Sequence, residues 1–360
     1  MSMTFFWPDT PRSEAPIIPI FIPFWGCRVR CVFCAQHVQS GTGERSLAQM
    51  LSQVRAQLAE RRSRGASPVE LGFFGGTFTA LSREVLERCF ALVREEQERG
   101  TVLRARCSTR PDAVSPGILE RLRAAGFATV ELGVQSFKDA ALTAARRGYD
   151  GAAARRACAM VLDAGLGLGV QLLPGMPGVS PAVFTEDVAT ALDAGARQLR
   201  FYPCQVIAGT ELARMWREGE YTPWTRAQAV SALAEGWLAA RAAGAAVIRM
   251  GLAPEKDFAG HVLAGPSHPA LGAMVQGEAL LMAVCRHAGN RALARVFAPR
   301  WCRGFFWGQR GDLRPRWAAL GIGPHSVEWQ DIQEVRLVFV QGVGESPVLQ
   351  KQKYVGNCSK

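Results

Sequence analysis

Short apolar runs alternate with longer segments of helical period along most of this chain, and no other feature restricts its fold as much. The apolar runs predict strands at Ile17–Phe24, Val69–Gly75, Leu103–Arg110, Thr129–Ser136, Gly167–Pro174 and Gln198–Val206. The segments between them predict helices near Ser46–Arg62, Arg83–Arg99, Pro116–Ala125, Gly151–Ala164 and Ala182–Ala194. Six strand–helix repeats about 30–50 residues apart read as βα units and a parallel sheet. Near-continuous apolar runs such as VELGFF and VQLL suit a sheet buried on both faces. Glycines and polar residues gather at the strands' C-terminal ends, as GGT, STRPD, GVQS and LLPGMPG. Barrel enzymes place their chemistry there, so the expected fold is α/β, a partial parallel (β/α)6 barrel. A doubly wound open sheet is the competing fold, because alternation alone does not reveal closure.

Beyond the sixth repeat the pattern predicts a helix at Ala227–Ala242, a strand at Ala246–Gly251, a helix near Ala270–His287 and then a segment rich in Arg and Trp. The expected division is an N-terminal segment (1–15), a core barrel (16–225), a C-terminal extension covering the barrel (226–341) and a polar, disordered tail (342–360). The N-terminus lacks the basic start and small-residue cleavage site of a signal peptide, and no apolar run approaches the roughly 18–20 residues of a membrane span. A cytoplasmic protein with no membrane partner is expected. The net charge of +11 is carried by arginines spread along the chain, which permits a polyanionic partner such as RNA without demanding one.

Ten cysteines in a long chain with no export signal point to metal binding or reduced core thiols. Cys27, Cys31 and Cys34 stand in C-x3-C-x2-C spacing directly after the first predicted strand; the other seven are scattered, with no C-x-x-C among them. Thiolates select Fe–S clusters, zinc or Cu(I). Structural zinc sites usually take four ligands and electron-transfer clusters usually take four cysteines. Three thiolates on a four-iron cluster leave one iron open to a substrate or cofactor.

This spacing, on a loop after the first strand of a βα barrel, resembles the radical S-adenosylmethionine (SAM) superfamily. The resemblance implies a [4Fe–4S] cluster held by Cys27, Cys31 and Cys34, SAM chelated by the open iron, and an external electron donor of flavodoxin or ferredoxin type. It also implies a SAM site. Gly75, Gly76 and Thr77, ending the second strand, would meet the methionine amino group. Gln135 in ELGVQSF, Arg147 in RRGY and Gln171 just before LPGMPG match positions turned toward SAM; buried amides bonded to neighbouring backbone are the alternative for the two glutamines, and a solvated helix-end cation is the alternative for Arg147. Ser108 stands where relatives often carry Glu in ETRPD, which removes a charge. Tyr149 stands where histidine is usual in RGH.

The ordered motifs GGTFTAL, TRPD, ELGVQS, LLPGMPG and FYPCQVIAGTELARMWREGEY, over about residues 16–225, resemble the catalytic subunit of Elongator and its bacterial relatives. That branch implies work on tRNA. No Gly-rich acetyl-CoA loop follows residue 251, so the acetyltransferase part is not expected. Oxygen-independent coproporphyrinogen oxidases share several motifs but usually carry another cysteine where Gln36 stands. His261 and His268 read as structural residues of a turn. The main expectation is a SAM-cleaving enzyme making a carbon radical on an unidentified substrate, with tRNA or another RNA as one partner. The alternatives are a small-metabolite or porphyrin enzyme, a non-catalytic Fe–S RNA-binding module, and a zinc-stabilised scaffold.

Overall fold

The computed structural model describes residues 1–9, 15–36, 46–251 and 258–340. The tail from Gly342, with Cys358, lies outside them. In chain order the first strands are β1 (Ser2–Phe6), β2 (Ile17–Phe21), β3 (Val69–Phe74), β4 (Val102–Thr109), β5 (Phe127–Gln135), β6 (Gly167–Leu172) and β7 (Gln198–Phe201). There follow β8 (Val206–Ile207), β9 (Ala246–Met250), β10 (Val262–Ala264), β11 (Leu293–Pro299), β12 (Val327–Gln330) and β13 (Glu334–Phe339). The helices that matter below are α1 (Leu47–Ser63), α2 (Arg83–Glu98), α3 (Pro116–Ala124), α4 (Asp139–Ala144), α5 (Gly151–Asp163) and α6 (Pro181–Asp193).

These residues form two compact units. The first, Arg12–Ala232 with Ala239–Pro269, contains a seven-stranded parallel sheet in the order β2-β3-β4-β5-β6-β7-β9. The expected strands are all present, and β9 makes the sheet one strand longer than the six repeats. The order never reverses. A doubly wound sheet reverses at its switch point and so covers both faces with helices, whereas right-handed crossovers that always advance leave every helix on one face. This order therefore belongs to a curled half-barrel with helices outside and an open inner face, not to the competing open sheet.

The helices start where their caps dictate. Ser46 and Gln49 form a reciprocal capping box at α1, Asp150 accepts from the Ala153 amide at α5, and Ser180 precedes Pro181 at the first position of α6. On the helix side of the sheet, Leu71, Phe73, Ala105, Cys107, Val130 and Leu132 are fully buried. There Phe73 packs on Phe127, and Phe127 in turn meets Phe90 of α2 with centroids 5.7 Å apart. This is the apolar core of the half-barrel.

The inner face carries charge. Arg106 of β4 bonds Glu70 of β3, Glu131 of β5 (3.0 Å) and Gln198 of β7 (2.9 Å). Arg200 of β7 donates to the same Glu131 oxygen at 3.0 Å and to the Tyr202 hydroxyl at 3.1 Å. Glu131 reaches β7 over the intervening β6 because Gly169 stands between them: a Cβ there would lie 2.9 Å from the Glu131 Cγ. Glu70, Arg106 and Glu131 are each at least 95% buried, so each charge depends on its partners.

The second unit takes its described residues from Met1–Pro11, Leu233–Leu238 and Ala270–Lys360. Its four-stranded sheet has the order β1-β13-β11-β12, in which β1 pairs antiparallel with β13 from Ser2↔Val338 to Phe6↔Glu334. An aromatic group beside it stacks Phe306 on Trp317 at 4.1 Å.

Candidate active site

The loop after β2 and the turn after β3 are packed backbone against backbone. Gly76 has a φ of +55°, and a Cβ on it would sit 2.3 Å from the Trp25 carbonyl oxygen and 2.6 Å from that of Ile22. The Thr77 amide donates to the Trp25 carbonyl at 2.7 Å. The Gln36 side chain closes the same junction: its Oε1 accepts from the Phe24 amide (2.6 Å) and the Gly76 amide (2.9 Å). The missing side chain of Gly76 thus makes room for the cysteine loop itself, a closer demand than room for a ligand.

This junction presents three thiols at the C-terminal end of the sheet. Cys27 Sγ lies 3.2 Å from the Thr77 hydroxyl. Cys31 Sγ accepts from Arg147 Nη1 at 2.9 Å, with Arg110 Nη1 at 3.8 Å. Burial, reinforced by the neighbouring Cys31 and Cys27, pushes the Cys34 thiol up to about 12. All nine described cysteines are free thiols.

Behind Cys31 stands a layered support. Arg110 and Asp112, from STRPD, form a bidentate pair at 2.9 Å on both arms. Arg110 also bonds the Arg147 carbonyl. Tyr149 accepts from Arg147 Nε (3.0 Å) and Nη2 (2.8 Å) and turns its proton toward the Gly133 and Val134 carbonyls, each 3.0 Å away. Gln135, at the end of β5, is held at a φ of +70°, a region that a residue with a side chain enters only under strain. Its Oε1 accepts from Gln171 Nε2 at 3.2 Å.

The structure therefore gathers Cys27 with Thr77, Cys31 with Arg147, and Gln135 with Gln171. Ser108 is half-buried and stands in register with Glu131, deeper on the sheet than the thiols. Gln36, Arg110, Asp112 and Tyr149 were not singled out as site residues by the sequence. Gln36, Arg110 and Tyr149 each reach partners 12 to 79 residues away, while Arg110–Asp112 and Arg147–Tyr149 pair two residues apart; the TRPD motif, the position after RRG and the position just beyond the third cysteine hinted at them. His261 lies on an exposed turn, where its backbone carbonyl accepts from the Ala208 amide at 2.8 Å.

The donor set fits an iron–sulfur cluster. Cys34, buried beside two further thiols, needs a cation to be held as a thiolate, and a metal centre supplies it. Among the described residues no group of three His, Cys, Asp or Glu is placed to hold a single metal ion. A cubane makes no such demand, since each cysteine takes a different iron. A parallel half-barrel with such a loop after its first barrel strand defines a class, the half-barrel iron–sulfur proteins.

Residues 21–191 match the family described as Radical SAM superfamily, and residues 196–280 that described as Radical_SAM C-terminal domain. The chain belongs to the radical SAM superfamily, whose members use a [4Fe–4S] cluster and SAM. It is 29% identical over 202 residues to the tRNA uridine(34) acetyltransferase of Methanocaldococcus infernus, covering 51% of this chain and 38% of that one. It is 28% identical over 206 residues to the heme chaperone HemW of Mycobacterium tuberculosis, covering 56% of this chain and 52% of that one. The chain spans half or less of the length of the first tRNA-acting relatives it matches. The solved structure of M. infernus Elp3 with an N-terminal deletion shares the fold, with a TM-score of 0.56 and 22% identity over 77% of this chain and 64% of that one. Among the described residues no helix is long and apolar enough to cross a membrane.

Proposed function

We propose that this protein is a radical SAM enzyme in which Cys27, Cys31 and Cys34 hold the cluster and Gly75–Thr77, Ser108, Gln135 and Gln171 line the SAM side of the site. The observation that carries the reading is the thiol trio at the C-terminal end of the half-barrel, backed by a buried arginine on Cys31. A cluster held by Cys27, Cys31 and Cys34, with SAM beside it and an electron from an external donor of flavodoxin or ferredoxin type, would supply radical hydrogen abstraction from a substrate.

The chain's own residues position and shield. Gln36 and the Gly76 junction fix the cysteine loop on the barrel rim. The strained Gln135, tied to Gln171, turns an amide pair toward the rim from β5 and β6. The Glu70–Arg106–Glu131–Arg200 network fills the deeper inner face and leaves the rim as the place for reactants.

For the substrate, the reading we favour is an RNA. Three observations support it: the names of the tRNA-acting relatives, the +11 charge, and the exposed Arg303 and Arg310, which have no ion pair among the described residues.

The enzyme reading is tested by anaerobic reconstitution. Wild-type protein should hold about four irons per chain and release 5′-deoxyadenosine under a strong reductant. Cys27→Ala, Cys31→Ala and Cys34→Ala should each lose the brown chromophore, while Cys89→Ala, on α2, keeps it. Full iron content in any of the three ligand variants would overturn the ligand set. The RNA reading is tested by tRNA binding against salt, where several phosphate contacts give a log–log slope of about −0.7 to −0.9 for each. No binding of micromolar tRNA at low salt would end it.

A further inference from the structure

We propose that Arg147 acts on the cluster through the sulfur of Cys31, as a positioning residue that makes the cluster easier to reduce, with Tyr149 and Arg110 holding it there. This rests on the reading that the three cysteines ligate the cluster. The motif resemblance would have assigned Arg147 to SAM instead.

The argument starts from a buried cation. Arg147 is 4% exposed, and among the described residues it makes no ion pair with any carboxylate. A guanidinium out of water needs anionic or strongly accepting partners. Each of its nitrogens has one: Nη1 donates to Cys31 Sγ at 2.9 Å, Nη2 to the Gly133 carbonyl at 2.5 Å and to Tyr149, and Nε to Tyr149. Of these partners, the sulfur is the one that carries negative charge once it is a metal-bound thiolate. The cation is therefore matched to the cluster and has no nitrogen left without a protein partner.

The support shows that this placement is built. Tyr149 accepts from two nitrogens of the fork at once, which fixes the plane of the guanidinium. Arg110, itself clamped by Asp112, bonds the Arg147 carbonyl and so fixes the backbone that carries the fork. Tyr149 occupies the position where histidine is usual in the motif, and a phenol oxygen can accept from both nitrogens where one ring nitrogen would accept from one.

A positive charge donated to a ligand sulfur stabilises the form of the cluster that carries one more electron. Hydrogen bonds to sulfur and local charge are levers by which proteins set these potentials. Arg147 accordingly eases the step at which the external donor loads its electron.

The test is a potentiometric titration, followed by electron paramagnetic resonance, of reconstituted protein without SAM. In Arg147→Gln the reduction equilibrium should fall at least tenfold, a midpoint about 59 mV more negative for one electron. Tyr149→Phe keeps the cation but frees its plane, and should shift the midpoint in the same direction by less. Wild-type midpoints in both variants would overturn the inference; weakened SAM binding alongside them would return Arg147 to SAM. If Arg147→Gln fails to assemble a cluster, Tyr149→Phe decides, and an unmoved midpoint overturns the proposal. A wild-type protein that takes up no cluster would instead bring down the underlying ligand assignment.

Discussion

Deep on the inner face of the half-barrel, Glu70, Arg106, Glu131 and Arg200 pair acid with base, strand to strand. At the rim the arrangement is reversed. Three thiols crowd together, a glutamine is held in a strained conformation, and a buried arginine has sulfur where a carboxylate would be expected. Charge in the first region closes on itself, which is how buried ions stabilise a sheet interior without reacting. In the proposed reading the second region is completed by the cluster it holds. Polar groups on one face of one sheet can thus be structural or chemical, and what separates them is whether their demands are met within the chain.

That contrast can be broken by mutation. The largest stability effect should follow Glu131→Ala, which takes the carboxylate from Arg200 and one of two carboxylates from Arg106 in the interior, at a cost of about 3–5 kcal/mol. Chemical denaturation measures it. Below the unfolding transition, iron content should match wild type; loss of iron without loss of stability would mean that the two regions are not separate.

Asp187 on α6 sharpens the picture at the back of the rim. Its Oδ1 accepts from the Phe137 amide at 2.7 Å, just beyond Gln135, and burial raises its pKa from 3.8 to about 6. The folded state thus keeps this proton to higher pH than the unfolded chain does. The associated stability is present below pH 3.8 and is lost as pH climbs through about 6. Two units correspond to about 3 kcal/mol. Asp187→Asn retains the acceptor and removes the charge, so its stability should vary less between pH 4 and 7 and exceed wild type at pH 7. An unchanged pH profile in urea melts would exclude Asp187 as the source.

The smallest effect should be local. Gln36→Leu leaves the Phe24 and Gly76 amides without their acceptor, a cost of about 1–3 kcal/mol confined to the cysteine loop. Iron release to a chelator should accelerate while global unfolding moves little. Equal release rates would show that backbone packing alone holds the loop.

The half-barrel was legible because each βα unit is written locally, in an apolar run, a cap and a helical period. α1, α2, α3, α5 and α6 start within one residue of their expected positions. β9 was readable as a strand but not as the seventh of the sheet, since strand order is not a local property. The cysteine spacing and the GGT turn were legible as motifs. The bonds of Gln36 to Gly76, Arg110 to Cys31 and Tyr149 to the β5 carbonyls were not, because only the fold brings those partners near; Arg110–Asp112 and Arg147–Tyr149 stand two residues apart, and spacing does not give the side-chain directions that pair them. β1 and β11–β13 escaped for the same reason: SMTFF is five residues long, and its pairing partner lies more than 300 residues downstream.

That last pairing has a consequence for synthesis. β1 leaves the ribosome more than 300 residues ahead of its partner, β13, which ends at Phe339. At about 5–20 residues per second the strand waits roughly twenty seconds to a minute with its hydrogen-bonding edge unfilled. An unpaired edge of that kind is a template for association with other chains. The half-barrel strands, whose partners follow within tens of residues, have no comparable wait. Newly made chains are therefore most vulnerable to misassembly at β1, and slower elongation lengthens that exposure in proportion.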